Sequence, residues 1–257
     1  MSTTYKEYDW EKPVQLLYDH INSLPAQELA KFKNDPEALL DAIDKFEEEQ
    51  NKKDSEYRLM TVGPDKRKVV EEEIAQNKPY TFAELGGFCG YSAIAFAHKL
   101  KQTHPGYQVH YYSLEVSPFF AKVTSRFTTL AGLGDIVTVL VGPASEGLER
   151  LKEEFNHAKI DFFFIDHWKD LYVPDLQKAE ELGLIQYGTV ITADNIYFPG
   201  APEYAKYVRL NTAEKKKDYP GKGNPNIEYD TRTVEVPLGD GKKDGVEVTL
   251  CTGVLSD

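Results

Sequence analysis

The stretch at residues 161–172 reads D-F-F-F-I-D-H-W-K-D-L-Y. Four successive apolar residues leave no polar face. Phe162–Ile165 therefore suits a strand buried on both sides, the condition of a strand inside a parallel sheet. The run breaks at once into Asp166, His167, Trp168, Lys169 and Asp170. In open α/β sheets ligands bind at the carboxyl ends of strands, so this break reads as a strand end that opens into a site. A second break of the same kind lies downstream, where V-I-T-A runs into Asp194 and Asn195.

The flanking sequence supplies the rest of such a sheet. Apolar strand patterns at 81–84, 108–114, 136–141, 162–165 and 188–193 alternate with helical patterns at 91–101, 118–131, 144–155, 174–182 and 201–210. That alternation predicts an α/β fold with a doubly wound, mostly parallel sheet. Upstream, Pro13 and the pair Asp35-Pro36 read as helix starts with apolar residues at helical spacing behind them. Residues 1–10 are polar and read as loosely held. Downstream, 211–224 reads as a Lys-rich loop. Runs at 229–236 and 246–255, joined by L-G-D-G-K-K-D-G, read as an antiparallel hairpin on the sheet edge. We expect a single domain over 1–257: a helical cover (1–55), a ligand-binding α/β core (56–210), and a loop with a terminal hairpin (211–257).

The net charge of −12 argues against a general nucleic-acid binder, which needs a basic face. Cys89 and Cys251 are too few for a disulfide framework and suit a reducing compartment. The first residues lack the apolar core of a secretory signal, and no run approaches the length of a membrane helix. The expectation is a cytoplasmic protein without membrane or nucleic-acid partners.

Between the first strand and its helix stand Glu84, Gly86, Gly87 and Gly90, and Glu115 closes the second strand. Glycines there let backbone approach a ligand, and an acid ending the second strand can accept ribose hydroxyls. The spacing G-G-x-x-G is not the dinucleotide fingerprint G-x-G-x-x-G. Glu84 would repel a pyrophosphate and suits a cationic ligand such as a sulfonium. Asp166, Asp194 and Asn195 are hard oxygen ligands of the kind magnesium takes while keeping water or substrate in its other positions. Taken alone, Asp194-Asn195 would be an ordinary Asx turn, but acids at two strand ends with Lys169 beside them point to a site. Among cations the ammonium form of Lys169 is disfavoured, which is a route to a lysine base. His167 alone suits a hydrogen-bonded structural role, and Trp168 a pocket wall.

In order along the chain, E-L-G-G-F-C-G-Y-S, D-H-W-K-D-L-Y-x-P-D, A-D-N and P-G-A-P closely resemble the catechol O-methyltransferases. The likeness runs from about residue 59 to 209 and resumes at N-I-E-Y-D (226–230). The N-terminal helices and the loop before 226 look longer than the family's. The resemblance implies a class I, Rossmann-like methyltransferase with seven strands, the last antiparallel. It implies S-adenosylmethionine and Mg2+ as cofactors and a small catechol as substrate, in a monomer or weak homo-oligomer. Asp166, Asp194 and Asn195 match the family's metal ligands, Lys169 its general base, and Glu228 the acid that holds the substrate's second hydroxyl. Met60, Val62, Glu84, Gly86, Tyr91, Ser92, Glu115, Val116, Ala144, Ser145, Asp166, His167 and Trp168 match cofactor contacts. Asp166, Trp168, Lys169, Asn195, Pro199 and Glu228 match substrate contacts. Phe88, the Ala144-Ser145 pair and Arg58 depart from the family's usual Tyr, Ser-Gln and Trp. Two other readings stay open: a related magnesium-dependent enzyme for other vicinal-diol phenolics, and an NAD-dependent dehydrogenase.

Overall fold

Seven strands form one sheet in the order β3-β2-β1-β4-β5-β7-β6 in the computed structural model, which describes residues 9–54, 57–239 and 241–256. The reading for residues 1–10 lies outside this set, apart from Asp9 and Trp10. The strands are β1 (Thr81–Leu85), β2 (His110–Glu115), β3 (Val137–Val141), β4 (Phe162–Ile165), β5 (Val190–Ala193), β6 (Ile227–Gly239) and β7 (Lys242–Val254). The first five are parallel, and β7 joins β5 antiparallel. The expected doubly wound sheet with an antiparallel terminal hairpin is what forms. The hairpin strands are longer than expected, because most of the stretch read as their turn is paired, down to Gly239 with Lys242.

Successive residues of a buried strand face opposite sides of the sheet. Phe82, Phe162 and Phe164 pack on one side against helices α1 (Glu11–Ser23), α3 (Pro36–Lys53), α4 (Gly63–Asn77), α5 (Tyr91–Thr103) and α6 (Pro118–Leu130). Phe163, Ile165 and Ile191 pack on the other against α7 (Ala144–Glu153), α8 (Tyr172–Glu181) and α9 (Pro202–Tyr207). A short α2 (Ala26–Phe32) completes the N-terminal group. Asp35 caps α3 by accepting from the Ala38 amide at 3.3 Å, with Pro36 in the first turn, which is the start signal read in the sequence.

The Lys-rich segment read as a loop contains α10 (Thr212–Asp218). Asn211 and Glu214 form a reciprocal capping box at its start, with bonds of 3.0 and 2.9 Å. Asparagine followed three residues later by glutamate is a helix-start signal, and the surrounding lysines and glycines hide it. No helix among the described residues is long and apolar enough to cross a membrane.

Candidate active site

The register of the sheet builds the site. Leu85 pairs with Ile165, and Ile165 with Ala193, so the next residues on three adjacent strands, Gly86, Asp166 and Asp194, leave the sheet level with one another. The Asp166 amide donates to Leu85 O and the Asp194 amide to Ile165 O, both at 3.0 Å. Neighbouring strands lie about 4.8 Å apart, which brings the two aspartates within reach of one ion. Between β1 and β4 the chain order also reverses, the switch point at which open α/β sheets bind ligands.

Asn195 has left-handed backbone (φ 60°), a conformation that asparagine tolerates better than most residues. Its Oδ1 accepts from Lys169 Nζ at 2.8 Å. The same ammonium donates to Asp166 Oδ1 at 3.2 Å and to the hydroxyl of the buried Tyr172. Asp194 is buried, and its Oδ2 accepts from Lys66 Nζ at 2.7 Å. Its Oδ1 is buried with no hydrogen-bond partner among the described residues. Burial raises the Asp194 carboxyl well above the usual range, and the charge of Asp166 adds to the effect. Burial raises Asp166 as well, against the pull of Lys169 and Lys66. Two adjacent carboxylates, Asp194 buried and Asp166 partly buried, stay under-compensated beside two lysines, and with one oxygen left over they form a donor set that fits a divalent cation. The set holds two carboxylates and one amide. No group of three or more His, Cys, Asp or Glu side chains fit to hold a metal occurs among the described residues.

The glycine turn forms the other half. A Cβ at Gly86 would lie 2.8 Å from Asp166 O, and φ there is +99°, so only glycine lets β1 cross the end of β4. Glu115 Oε2 accepts from the amides of Gly87 at 3.0 Å and Phe88 at 2.8 Å, and its Oε1 from Ser117 at 2.8 Å. The turn is thereby clamped to the end of β2. Met60, Val62, Gly86, Tyr91, Ser92 and Asp166, all named from the sequence, line one cleft. Val116 follows β2, and Ala144 and Ser145 open α7 after β3, at the same end of the sheet. Trp168 (69% exposed) and Pro199 stand at the surface there.

Several side chains stand otherwise than the sequence suggests. Glu84 is wholly buried beneath the turn, bonded by the Ser92 and Ser113 hydroxyls. Its carboxylate ties β1, β2 and α5 together and is closed off from the cleft. The Tyr91 hydroxyl points away to Asp44 of α3 at 2.9 Å. His167 Nε2 meets Asp175 Oδ2 at 2.7 Å, the hydrogen-bonded arrangement expected of it. Glu228 needs the largest correction. It pairs with Gly253, whereas Thr233 and Ala193 both pair with Glu247. Glu228 therefore lies about 17 Å along β6 from the site, at about 3.4 Å per residue. The acid at the site end of that strand is Glu235, which accepts from the Tyr197 hydroxyl at 3.4 Å and from Lys243 at 2.6 Å. The short match at 226–230 set the strand in the wrong register.

The family model described as O-methyltransferase matches residues 35–245. The chain belongs to the O-methyltransferase family. It is 38% identical over 178 residues to catechol O-methyltransferase of Bos taurus, covering 69% of this chain and 61% of that one. It is 37% identical over 175 residues to catechol O-methyltransferase of Mus musculus, covering 68% and 62%. The chain thus spans about three fifths of the length of these two relatives. An O-methyltransferase from Bacillus cereus, solved in complex with SAH, has the same fold at a TM-score of 0.60 and 18% identity, covering 95% of this chain and all of that one. Nothing in these likenesses supports the dehydrogenase reading.

Three residues escaped the sequence reading: Lys66, Tyr172 and Asp244. The signal for Lys66 is its place on the buried stripe of α4, with Val70, Glu73 and Ile74, since a lysine on a buried face needs a carboxylate partner. Glu84 carries a test of its own. Burial lifts its carboxyl to about 7, against the hydroxyl bonds from Ser92 and Ser113. The folded state therefore holds this proton more tightly than the unfolded chain. Stability from this group is full below the ordinary value of 4.5, falls as pH rises to about 7, and is level above that. At about 1.4 kcal/mol per unit the loss is roughly 3 kcal/mol. Chemical denaturation at pH 4.5 and pH 8 should show the wild type losing that much more than Glu84→Gln. Equal losses would contradict the burial argument.

Proposed function

We propose that this protein transfers a methyl group from S-adenosylmethionine to one hydroxyl of a catechol, with a divalent cation, Mg2+, held at the strand ends. The observation that carries the reading is the set Asp166, Asp194, Asn195 and Lys169, gathered beside the Gly86 turn, with one oxygen of Asp194 left without a partner among the described residues. Family membership supports it, as does likeness to relatives named catechol O-methyltransferase. The alternative within the family is another vicinal-diol phenolic, and Arg58, which departs from the usual tryptophan, bears on that choice.

In this reading the methyl donor lies along the glycine turn, with its ribose on Glu115 and its sulfonium toward Asp166. A divalent cation bound by Asp166, Asp194 and Asn195 supplies Lewis acidity that favours the ionised form of a hydroxyl. A free phenol ionises near ~10 and is a weak nucleophile at neutral pH. Lys169 takes the proton of the attacking hydroxyl, and Asp166 and Asn195 hold its amine in place. The oxygen bonds the methyl carbon as that carbon's bond to sulfur breaks, and the neutral thioether S-adenosylhomocysteine leaves. Trp168 and Pro199 wall the ring, and Glu235 is the acid at the site end of β6. Aligning two bound reactants contributes up to ~7–11 kcal/mol.

Calorimetry tests the donor half. The protein should bind S-adenosylmethionine and not NAD. Glu115→Ala should weaken that binding about tenfold or more, since bonds to a charged acceptor contribute about 1.5–3 kcal/mol. An unchanged affinity would remove Glu115 from the ribose role, and binding of NAD alone would reject the reading.

A further inference from the structure

We infer that Asp244, on β7, is a positioning residue that sets which atoms of Asp194 and Asn195 face the cation; the inference rests on the cation reading above. Asp244 is wholly buried, and donors occupy both of its oxygens. Oδ1 accepts from the backbone amides of Gly245 at 2.7 Å and of Tyr197 and Phe198 at 3.1 Å each. Oδ2 accepts from Lys66 Nζ and from Asn195 Nδ2, both at 3.2 Å.

An amide side chain has a carbonyl end that accepts and an NH2 end that donates. Only the carbonyl end can ligate a cation. A carboxylate accepts and cannot donate, so Asp244 captures the NH2 end of Asn195 and turns the carbonyl away. On that far side Oδ1 meets Lys169 at 2.8 Å, a donor that requires an acceptor. The two neighbours therefore agree on one orientation. Lys66 performs the matching task for Asp194. Held between Asp244 Oδ2 and Asp194 Oδ2, it occupies one aspartate oxygen, and Oδ1 has no partner among the described residues. Through Oδ1, Asp244 also anchors the amides of Tyr197 and Phe198, just before Pro199. One buried carboxylate thus ties the ligand atoms to the segment that walls the mouth. A purely structural clamp on the hairpin would need only the backbone amides. The second oxygen, spent on Lys66 and Asn195, is the part such a clamp does not require.

Exchange of two side chains tests this. Asp244→Asn keeps the shape, but its NH2 meets the NH2 of Asn195, which then turns over and presents a donor to the cation. Mn2+ affinity, read by electron paramagnetic resonance titration without methyl donor, should fall about 10- to 100-fold, as for other lost supports of a metal ligand. The pair Asp244→Asn with Asn195→Asp moves the donor to 244 and places oxygen at both ends of residue 195, so donor again meets acceptor between them. It should recover Mn2+ affinity to within about threefold of wild type, against the 10- to 100-fold loss. S-adenosylmethionine affinity, read by calorimetry, should be retained throughout. If the single variant does not fold, the exchanged pair alone decides against wild type. Unchanged Mn2+ affinity in Asp244→Asn overturns the inference, and so does an exchanged pair that fails to recover it, through misfolding or otherwise. Wild-type protein that takes up no Mn2+ overturns the cation reading itself and this inference with it, so the two failures are distinguishable.

Discussion

Lys169→Met is expected to lower kcat by about 10²–10⁴, the usual contribution of a positioned general base. Methionine keeps the length and apolar stem of lysine and removes the amine. The half-buried stem stays packed, so the loss reports chemistry and not folding. Binding of the methyl donor should persist, because the turn from Gly86 to Phe88 is held by Glu115 and not by Lys169. The defect should shrink as pH rises toward ~10, where a free phenol ionises without help. Steady-state kinetics across pH measures both effects. A wild-type rate would remove Lys169 from the mechanism, and a defect of constant size at every pH would assign it to positioning alone.

Asp194→Asn is expected to cost about 10²–10³ in kcat at saturating Mg2+, which corresponds to roughly 3–4 kcal/mol of lost charge stabilisation. The substitution preserves shape and a carbonyl oxygen. It removes the buried one of two neighbouring negative charges, and the electrostatic cost of burying Asp194 goes with it. The melting temperature without Mg2+ should therefore hold or rise while activity falls, the opposition expected where a site is maintained at the expense of stability. Kinetics paired with thermal unfolding tests this. Activity within threefold of wild type would place the cation elsewhere.

The parallel part of the sheet was legible because its strands are short, mostly apolar and set between amphipathic helices, and Phe162–Ile165 has no polar face at all. The strand-end acids were legible because a parallel sheet places consecutive strand ends side by side, so Asp166 and Asp194 had to meet. The hairpin was less so. β6 and β7 run thirteen residues each, and a five-residue match fixes neither their length nor their register. The local match at 226–230 put Glu228 where Glu235 stands. Lys66 and Asp244 were hidden for a different reason. Their partners lie 128 and 49 residues away in sequence, Asp194 for Lys66 and Asn195 for Asp244. Asp244 also sits in a D-G pair that reads as a turn. Glu84 was recognised as unusual, but burial could not be judged from neighbours alone, and its cross-strand partner Ser113 appears only once β1 and β2 are in register.

The central claim is cation-dependent methyl transfer at this site. Its most direct measurement is transfer of labelled methyl from S-adenosylmethionine to a panel of catechols, phenols and resorcinols, with Mg2+, with excess chelator, and with Mg2+ restored. Label is expected on one oxygen of catechols alone, lost in chelator and regained with Mg2+. Full transfer in excess chelator, or none to any vicinal diol, would contradict it.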